Sequence, residues 1–381
     1  MKRREIVVDL VKAAFIALIV KVMASYSMII PWNSHFDNLC LVFAICVTFA
    51  KICRLTFPLN KLIALALAAL LALYTCVSIK QYDLLVTVIA IFLLIDEDLE
   101  EYIYLMLKVQ LWIIIGHIAI SVFYSLVGRA YNFWIRPDHR LRFTGGFTHP
   151  NVLSSFILSS MLMFAWKRFR RITPNEFGWM VCIAALSFIM SRSRTGLILN
   201  LFTLLLLFLA QNESRLVTKT IDPVLLVIFP GVSAIIFWAQ KQFYAGNRIA
   251  LLLDDLMTGR IKYAAYAYLR SGTTWLPRYL DYADTGVVSW TPEWNLNTFT
   301  FDSLYSFIFI QMGMIWVGAI TGLIIFSCKK FDFRNKLFIL IWVLYSIVET
   351  HGLNCFKFFP LLLLSTLLSE KGAEAHSIRN A

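Results

Sequence analysis

Leu62-Ile-Ala-Leu-Ala-Leu-Ala-Ala-Leu-Leu-Ala-Leu-Tyr-Thr-Cys-Val-Ser78 is an uninterrupted stretch without a single charged residue. As an α-helix it rises about 1.5 Å per residue, close to what a hydrocarbon core about 30 Å thick requires once the flanking turns are added. Comparable apolar runs lie at 6–30, 38–50, 83–95, 103–127 and 149–166 on either side of it, then at 175–191, 196–210, 221–239, 303–327, 337–348 and 354–368. Of the 381 residues 59% are hydrophobic and 15% charged, and the mean hydropathy is +0.72, whereas soluble domains are roughly half apolar and about a quarter charged. The expected fold is therefore all-α, a polytopic transmembrane helical bundle of about 12 spans forming a single integral membrane domain over residues 1–381. The first run is too long for a signal-peptide core and is expected to be retained.

Charge along the chain orients these helices. Lys2, Arg3 and Arg4, then Lys51, Arg54 and Lys61, then Lys167, Arg168, Arg170 and Arg171, then Arg215 and Lys219, and finally Lys329, Lys330, Arg334 and Lys336 fall in alternate loops. That is the positive-inside pattern, and it places both termini in the cytoplasm. The net charge of +12 is spread over these loops and does not form a nucleic-acid-binding module, so no nucleic acid is expected as a partner. The seven cysteines lie mostly in apolar runs without a CxxC pair and read as small hydrophobes.

Most connections are short, but the segment of about 240–302 between the ninth and tenth expected spans is long and lies on the outer side. Its portion Asn247–Tyr282 interleaves Leu, Tyr, Ala and Trp with Arg, which predicts amphipathic helices on or over the membrane surface.

Arginines on the outer side run against the topological signal: Arg129, Arg136, Arg140 and Arg142; Arg192 and Arg194; Arg248, Arg260, Arg270 and Arg278. Lysine is scarce there, and arginine's planar fork suits bidentate binding of phosphate. Contacts to lipid head groups or to loop acids such as Asp254 and Asp255 would also account for any one of them. In Arg142-Phe-Thr-Gly-Gly-Phe-Thr-His-Pro-Asn151, Pro150 suits the first turn of a helix with Thr148 or His149 as cap. The helix N-terminus beside two glycines can seat an anion, or can be a plain cap after a glycine turn. Candidates for moving protons are Asp302, which also fits a helix cap, Glu349 and His351, and His149 and His139. No HExxH, GxSxG or P-loop pattern occurs.

Arg142 with Gly146-Phe-Thr-His-Pro-Asn151, Ser191-Arg-Ser-Arg-Thr-Gly196, Leu256-Met-Thr-Gly-Arg260, Asp302-Ser-Leu-Tyr305 followed by Gly313, and Glu349 stand in an order and spacing that resemble the Wzy/WaaL superfamily of O-antigen and capsular polysaccharide polymerases and O-antigen ligases. The resemblance runs from about residue 140 to the C-terminus and is carried by short motifs. It implies a GT-C-type fold in a bacterial cytoplasmic (inner) membrane and a metal-independent, cofactor-free inverting glycosyl transfer from an undecaprenyl-pyrophosphate-linked oligosaccharide. Arg142, Arg192, Arg194, Arg260, Arg278 and Asn151 would bind pyrophosphate or substrate, and Asp302, His149 or Glu349 would supply the base. Membrane lipids, a chain-length regulator and a flippase are the implied partners. Many relatives carry a His-Asn type pair where this chain has Asp302-Ser303, which favours a polymerase over a ligase. Transport of an anionic lipid or solute is a reading of another class, disfavoured by the scarcity of midspan charges, of which Lys108 is the clearest.

Overall fold

The structure is a computed structural model that describes residues 2–128, 133–135, 141–192, 194–211, 215–257, 259–280 and 301–369, without the side chains of 2–8, 134, 135, 194, 195 and 215–218. Its helices are α1 (Lys2–Ser25), α2 (Ser34–Ile52), α3 (Leu59–Ile79), α4 (Asp83–Leu93), α5 (Leu99–Leu126), α6 (Pro150–Lys167), α7 (Pro174–Ser191), α8 (Arg194–Gln211), α9 (Arg215–Phe243), α10 (Arg248–Leu256), α11 (Arg260–Ser271), α12 (Leu304–Phe307), α13 (Met314–Lys330), α14 (Phe333–Tyr345) and α15 (Ser365–Leu368). Between α5 and α6 a short antiparallel ribbon pairs β1 (Phe133–Ile135) with β2 (Leu141–Phe143). The described chain is thus all-α apart from that ribbon.

Among the described residues four helices are long and apolar enough to cross a membrane, namely Ser34–Ile52, Leu59–Ile79, Leu99–Leu126 and Lys219–Phe243. Large apolar side chains project outward from each of them, with Phe49, Leu67, Trp112 and Val227 all more than 60% exposed. A surface of this kind fits hydrocarbon as its solvent.

The chain divides into two compact units. The first takes the described parts of Met1–Ala66, Val86–Thr218 and Asn354–Ala381. Its central element is α6, with fourteen of its eighteen residues buried. Ser154, Ser155, Ser159 and Ser160 keep that helix slim enough for neighbours to approach, and Ser159 Oγ accepts the Phe359 N–H at 3.2 Å. Two buried lysines in this unit are paired: Lys21 with Asp37 at 2.7 Å and Lys51 with Glu97 at 2.6 Å, the Lys51 ammonium also donating to the Leu93 carbonyl.

The second unit takes Leu67–Leu85 and the described parts of Lys219–Leu353. Here α9 carries Pro223 and Pro230 in its interior. Its Phe229 and Phe237 rings meet Tyr305 and Phe309 with centroids 5.1 and 5.2 Å apart. Asp222 pairs with Lys336 at 2.7 Å, and the Trp316 indole donates to Thr75 Oγ1 at 2.9 Å.

Three expected spans differ from the observed elements. The run 6–30 is helical only to Ser25, because Ser27 bridges to Phe147, Met28 N–H bonds Gly146 O and Thr148 N–H bonds Tyr26 O. The run 303–327 is broken: α12 leads into a π-helical turn, Ile308–Met312, and stops at Gly313 before α13. The run 354–368 is no continuous α-helix, since the Asn354 side chain captures the Phe356 N–H and the backbone then winds as a 3-10 helix over Phe359–Leu364 before α15. Pro360, with no N–H of its own, sits in the first turn of that tighter helix.

The break at Gly313 is fixed by another backbone. Thr274 O accepts from Met314 N–H at 2.8 Å and Trp275 O from Ile315 N–H at 3.2 Å, so the strand-like segment after α11 completes the start of α13. Gly313 has φ +95°, and a Cβ there would lie 2.6 Å from Trp275 O. Gly313→Ala is therefore expected to cost at least about 1–2 kcal/mol from the left-handed backbone alone, with the clash added. Thermal unfolding in detergent micelles should show a clear drop, and an unchanged midpoint would contradict this packing.

Candidate functional site

Each unit holds one cluster of the expected residues. In the first, β2 delivers Arg142 to a position only 8% exposed. Its Nε donates to the carbonyl of Ser191, the last residue of α7, and its Nη2 donates to Asn151 Oδ1 at 2.8 Å. Asn151 stands in the first turn of α6, and its backbone N–H is accepted by Nδ1 of His149, the N-cap, at 3.1 Å. Arg142, His149 and Asn151, read from one motif, are thus one hydrogen-bonded network at the N-terminus of a buried helix.

Burial, with the Arg142 charge adding to it, pushes the His149 imidazole down to about 4. Protonation would also remove the Nδ1 lone pair that caps the Asn151 N–H. His149 is therefore a neutral acceptor near pH 7, and Arg142 is the cation of this network.

Of the two readings of the glycines, the geometry fits the plain glycine turn. Gly145 (φ +60°) and Gly146 (φ +83°) adopt left-handed backbone, but the space beside them is filled by protein. A Cβ on Gly146 would meet Ile29 Cδ1 at 2.3 Å and Ser121 Cβ at 3.1 Å, and one on Gly145 would meet Leu153 and Ile118 side chains. These glycines let the loop seat against α5 and the chain after α1, and do not open the backbone to a ligand. His117 of α5 reinforces that seat: its ring stacks on Phe147 with centroids 4.6 Å apart. Ser27 Oγ accepts the Ile29 and Ile30 N–H groups, which leaves its hydroxyl proton for His117 Nε2 at 2.8 Å and assigns the ring proton to Nδ1, facing Ile113 O.

In the second unit the site is built on Arg260, the first residue of α11 and 8% exposed. Its Nε donates to Val348 O at 3.0 Å and its Nη1 to Met257 O at 3.1 Å. Two carboxylates flank the same guanidinium: Asp302 Oδ2 lies 3.8 Å from Nε and Glu349 Oε1 lies 3.6 Å from Nη2. Asp302 was a candidate helix cap, but Ser303 holds the N-cap position of α12, and Asp302 turns toward Arg260. Enclosure by the surrounding protein raises the Asp302 carboxyl above the usual carboxylate range while the Arg260 charge pulls it down. Its side chain remains 48% exposed, so solvent screens both influences. Glu349 is the more enclosed of the pair, at 13%.

Arg192, in left-handed conformation at φ 47°, ends α7 and is exposed. Arg278 is bonded to Ile310 O at 3.0 Å and Gly272 O at 2.6 Å, and so ties the segment after α11 to the π-helical turn. The side chain of Arg194 and the whole of Arg129, Arg136, His139 and Arg140 lie outside the described residues. Lys357 was passed over in the sequence, although a lysine inside an apolar run is itself a signal. It is 1% exposed, donates to Tyr26 OH at 2.5 Å and sits over that ring with its nitrogen 4.3 Å from the centroid.

With its pKa lowered in the folded state, His149 binds fewer protons than it does in the unfolded chain between about 6.5 and about 4. Its contribution is therefore complete above that window and is lost as pH falls through it. Melting curves across that range should show a larger loss for the native protein than for His149→Asn, which keeps a capping side chain and does not titrate. Parallel losses would remove His149 from the network.

No protein-family model, curated protein or solved structure matches the chain.

Proposed function

We propose that the chain is an oligosaccharide repeat-unit polymerase of the Wzy/WaaL kind, a membrane glycosyltransferase that joins polyprenyl-pyrophosphate-linked glycans on the outer face of a bacterial cytoplasmic membrane. The reading places about twelve spans in the bilayer with both termini inside, as the alternation of lysine and arginine along the loops supports. The observation that carries it is the Arg260 guanidinium held between Asp302 and Glu349, an acid–base constellation at the foot of helices flanking the long loop.

In this reading Asp302 takes the proton from an acceptor sugar hydroxyl. The freed oxygen attacks the anomeric carbon of the donor, the bond from that carbon to the pyrophosphate oxygen breaks, and polyprenyl pyrophosphate leaves with the electron pair and inversion at carbon. Arg260 positions both carboxylates and opposes the upward pull of burial on the Asp302 carboxyl, and Glu349 shares that guanidinium. Arg142, oriented by Ser191 O and Asn151, is assigned the charge that develops on the leaving group, a role suited to a preorganised cation in a dry setting. Arg192 and Arg194 are assigned to substrate binding at the turn between α7 and α8. Arg278 is assigned to holding the segment after α11, where its bonds to two carbonyls support a positioning role.

Reconstituted protein supplied with a lipid-linked repeat unit should build chains. Asp302→Asn should lower the rate by about 10²–10⁴-fold, the usual worth of a general base, and Arg142→Ala by about 10²–10³-fold, the worth of one transition-state donor. Single units on lipid would accumulate in both cases. Native chain length in Asp302→Asn would remove the base, and transfer only to a different acceptor would mark a ligase.

Because Arg260 pulls the Asp302 carboxyl downward, Arg260→Gln should move the acid limb of the pH–rate profile to higher pH. An unmoved limb with an unchanged rate would separate Arg260 from Asp302.

A further inference from the structure

We propose that α10 is an interfacial helix, lying along the membrane–water boundary with Ile249, Leu252 and Leu256 among phospholipid acyl chains. These residues stand at i, i+3 and i+7, which brings them to one face, and they are 59%, 59% and 70% exposed. The opposite side is held by protein: Ala250 is fully buried, and Asp254 Oδ1 accepts the Lys262 N–H at 2.7 Å, which locks α10 against the start of α11. A fixed helix that presents leucines outward needs an apolar partner for that face.

Position along the chain identifies the partner as lipid. Only residues 244–246 separate the end of α9, a helix apolar and long enough to cross a membrane, from the Asn247 cap of α10. Even fully extended, that link reaches only about 14 Å at about 3.5 Å per residue. Aromatic residues of the same segment mark the same level. Trp275 is 80% exposed and its carbonyl bonds the first turn of α13. The Tyr279 ring lies under the Lys80 ammonium, 4.1 Å away, where α3 has just ended. Exposed Trp and Tyr at the ends of apolar helices form the belt that sits at the head-group level. Among the exposed charged residues of 241–280, Lys241, Arg248 and Arg270 outnumber Asp255, which suits anionic head groups.

The test is photo-crosslinking of the full-length protein in nanodiscs of phosphatidylethanolamine and phosphatidylglycerol, with benzoylphenylalanine in place of Leu252 and, separately, of Asp255 on the polar edge. Intact mass should show phospholipid adducts several-fold more abundant from position 252, with the same excess from positions 249 and 256. Equal adduct levels at 252 and 255 would overturn the proposal. A crosslinked dimer from position 252, in nanodiscs that hold two copies, would overturn it in favour of a second chain on this face. All four variants, at 249, 252, 255 and 256, carry a replacement at an exposed position, and none of the readouts depends on glycan transfer.

Discussion

A peptide group buried away from water must find its partner within the protein, so every departure from regular helix in the interior has to be closed from within. The irregular stretches here follow that constraint. Gly313 interrupts a helix, and the backbone carbonyls of Thr274 and Trp275 take over the freed N–H groups of Met314 and Ile315. At Asn354 the side chain accepts the Phe356 N–H, Gln110 donates to the Phe356 carbonyl, and Thr87 accepts the Cys355 N–H. Side chains stand in for the missing backbone partners.

The same constraint explains what three of the arginines touch. Arg142 bonds the carbonyl that ends α7, Arg260 bonds Met257 O beyond α10 and Val348 O beyond α14, and Arg278 bonds Gly272 O beyond α11 and a carbonyl of the π-helical turn. A cation near the C-terminal end of a helix is favourable both as a donor and toward the helix dipole. Each guanidinium is thereby oriented by backbone, and its remaining donors are aimed in a set direction. Arg142 spends one of them on Asn151, and Arg260 faces two carboxylates. An arginine held at a helix end is already preorganised for electrostatic work, so a structural role and a catalytic role do not compete for it.

Motif adjacency made the Arg142, His149 and Asn151 network legible, because ten residues spanning a ribbon, a turn and a helix cap fold locally. The meeting of Arg260, Asp302 and Glu349 was legible only as three separate candidates, since long stretches of chain lie between them. The choice between the two readings of Gly145 and Gly146 was not legible, because left-handed backbone is visible in sequence while the occupant of the space beside it is not. That space belongs to Ile29, Ser121, Leu153 and Ile118, three of them distant in the chain.

By itself the sequence determined the all-helical architecture, the presence of helices long enough to cross a membrane, and the cap that starts α6, because composition, run length and local turn chemistry act over a few residues at a time. Tertiary structure alone decided where helices break at Gly313 and Asn354, which carbonyls the arginines hold, and that Asp302 turns to Arg260 while Ser303 takes the cap. Those outcomes depend on which distant backbone group arrives to satisfy a donor or a charge, and no local pattern encodes that arrival.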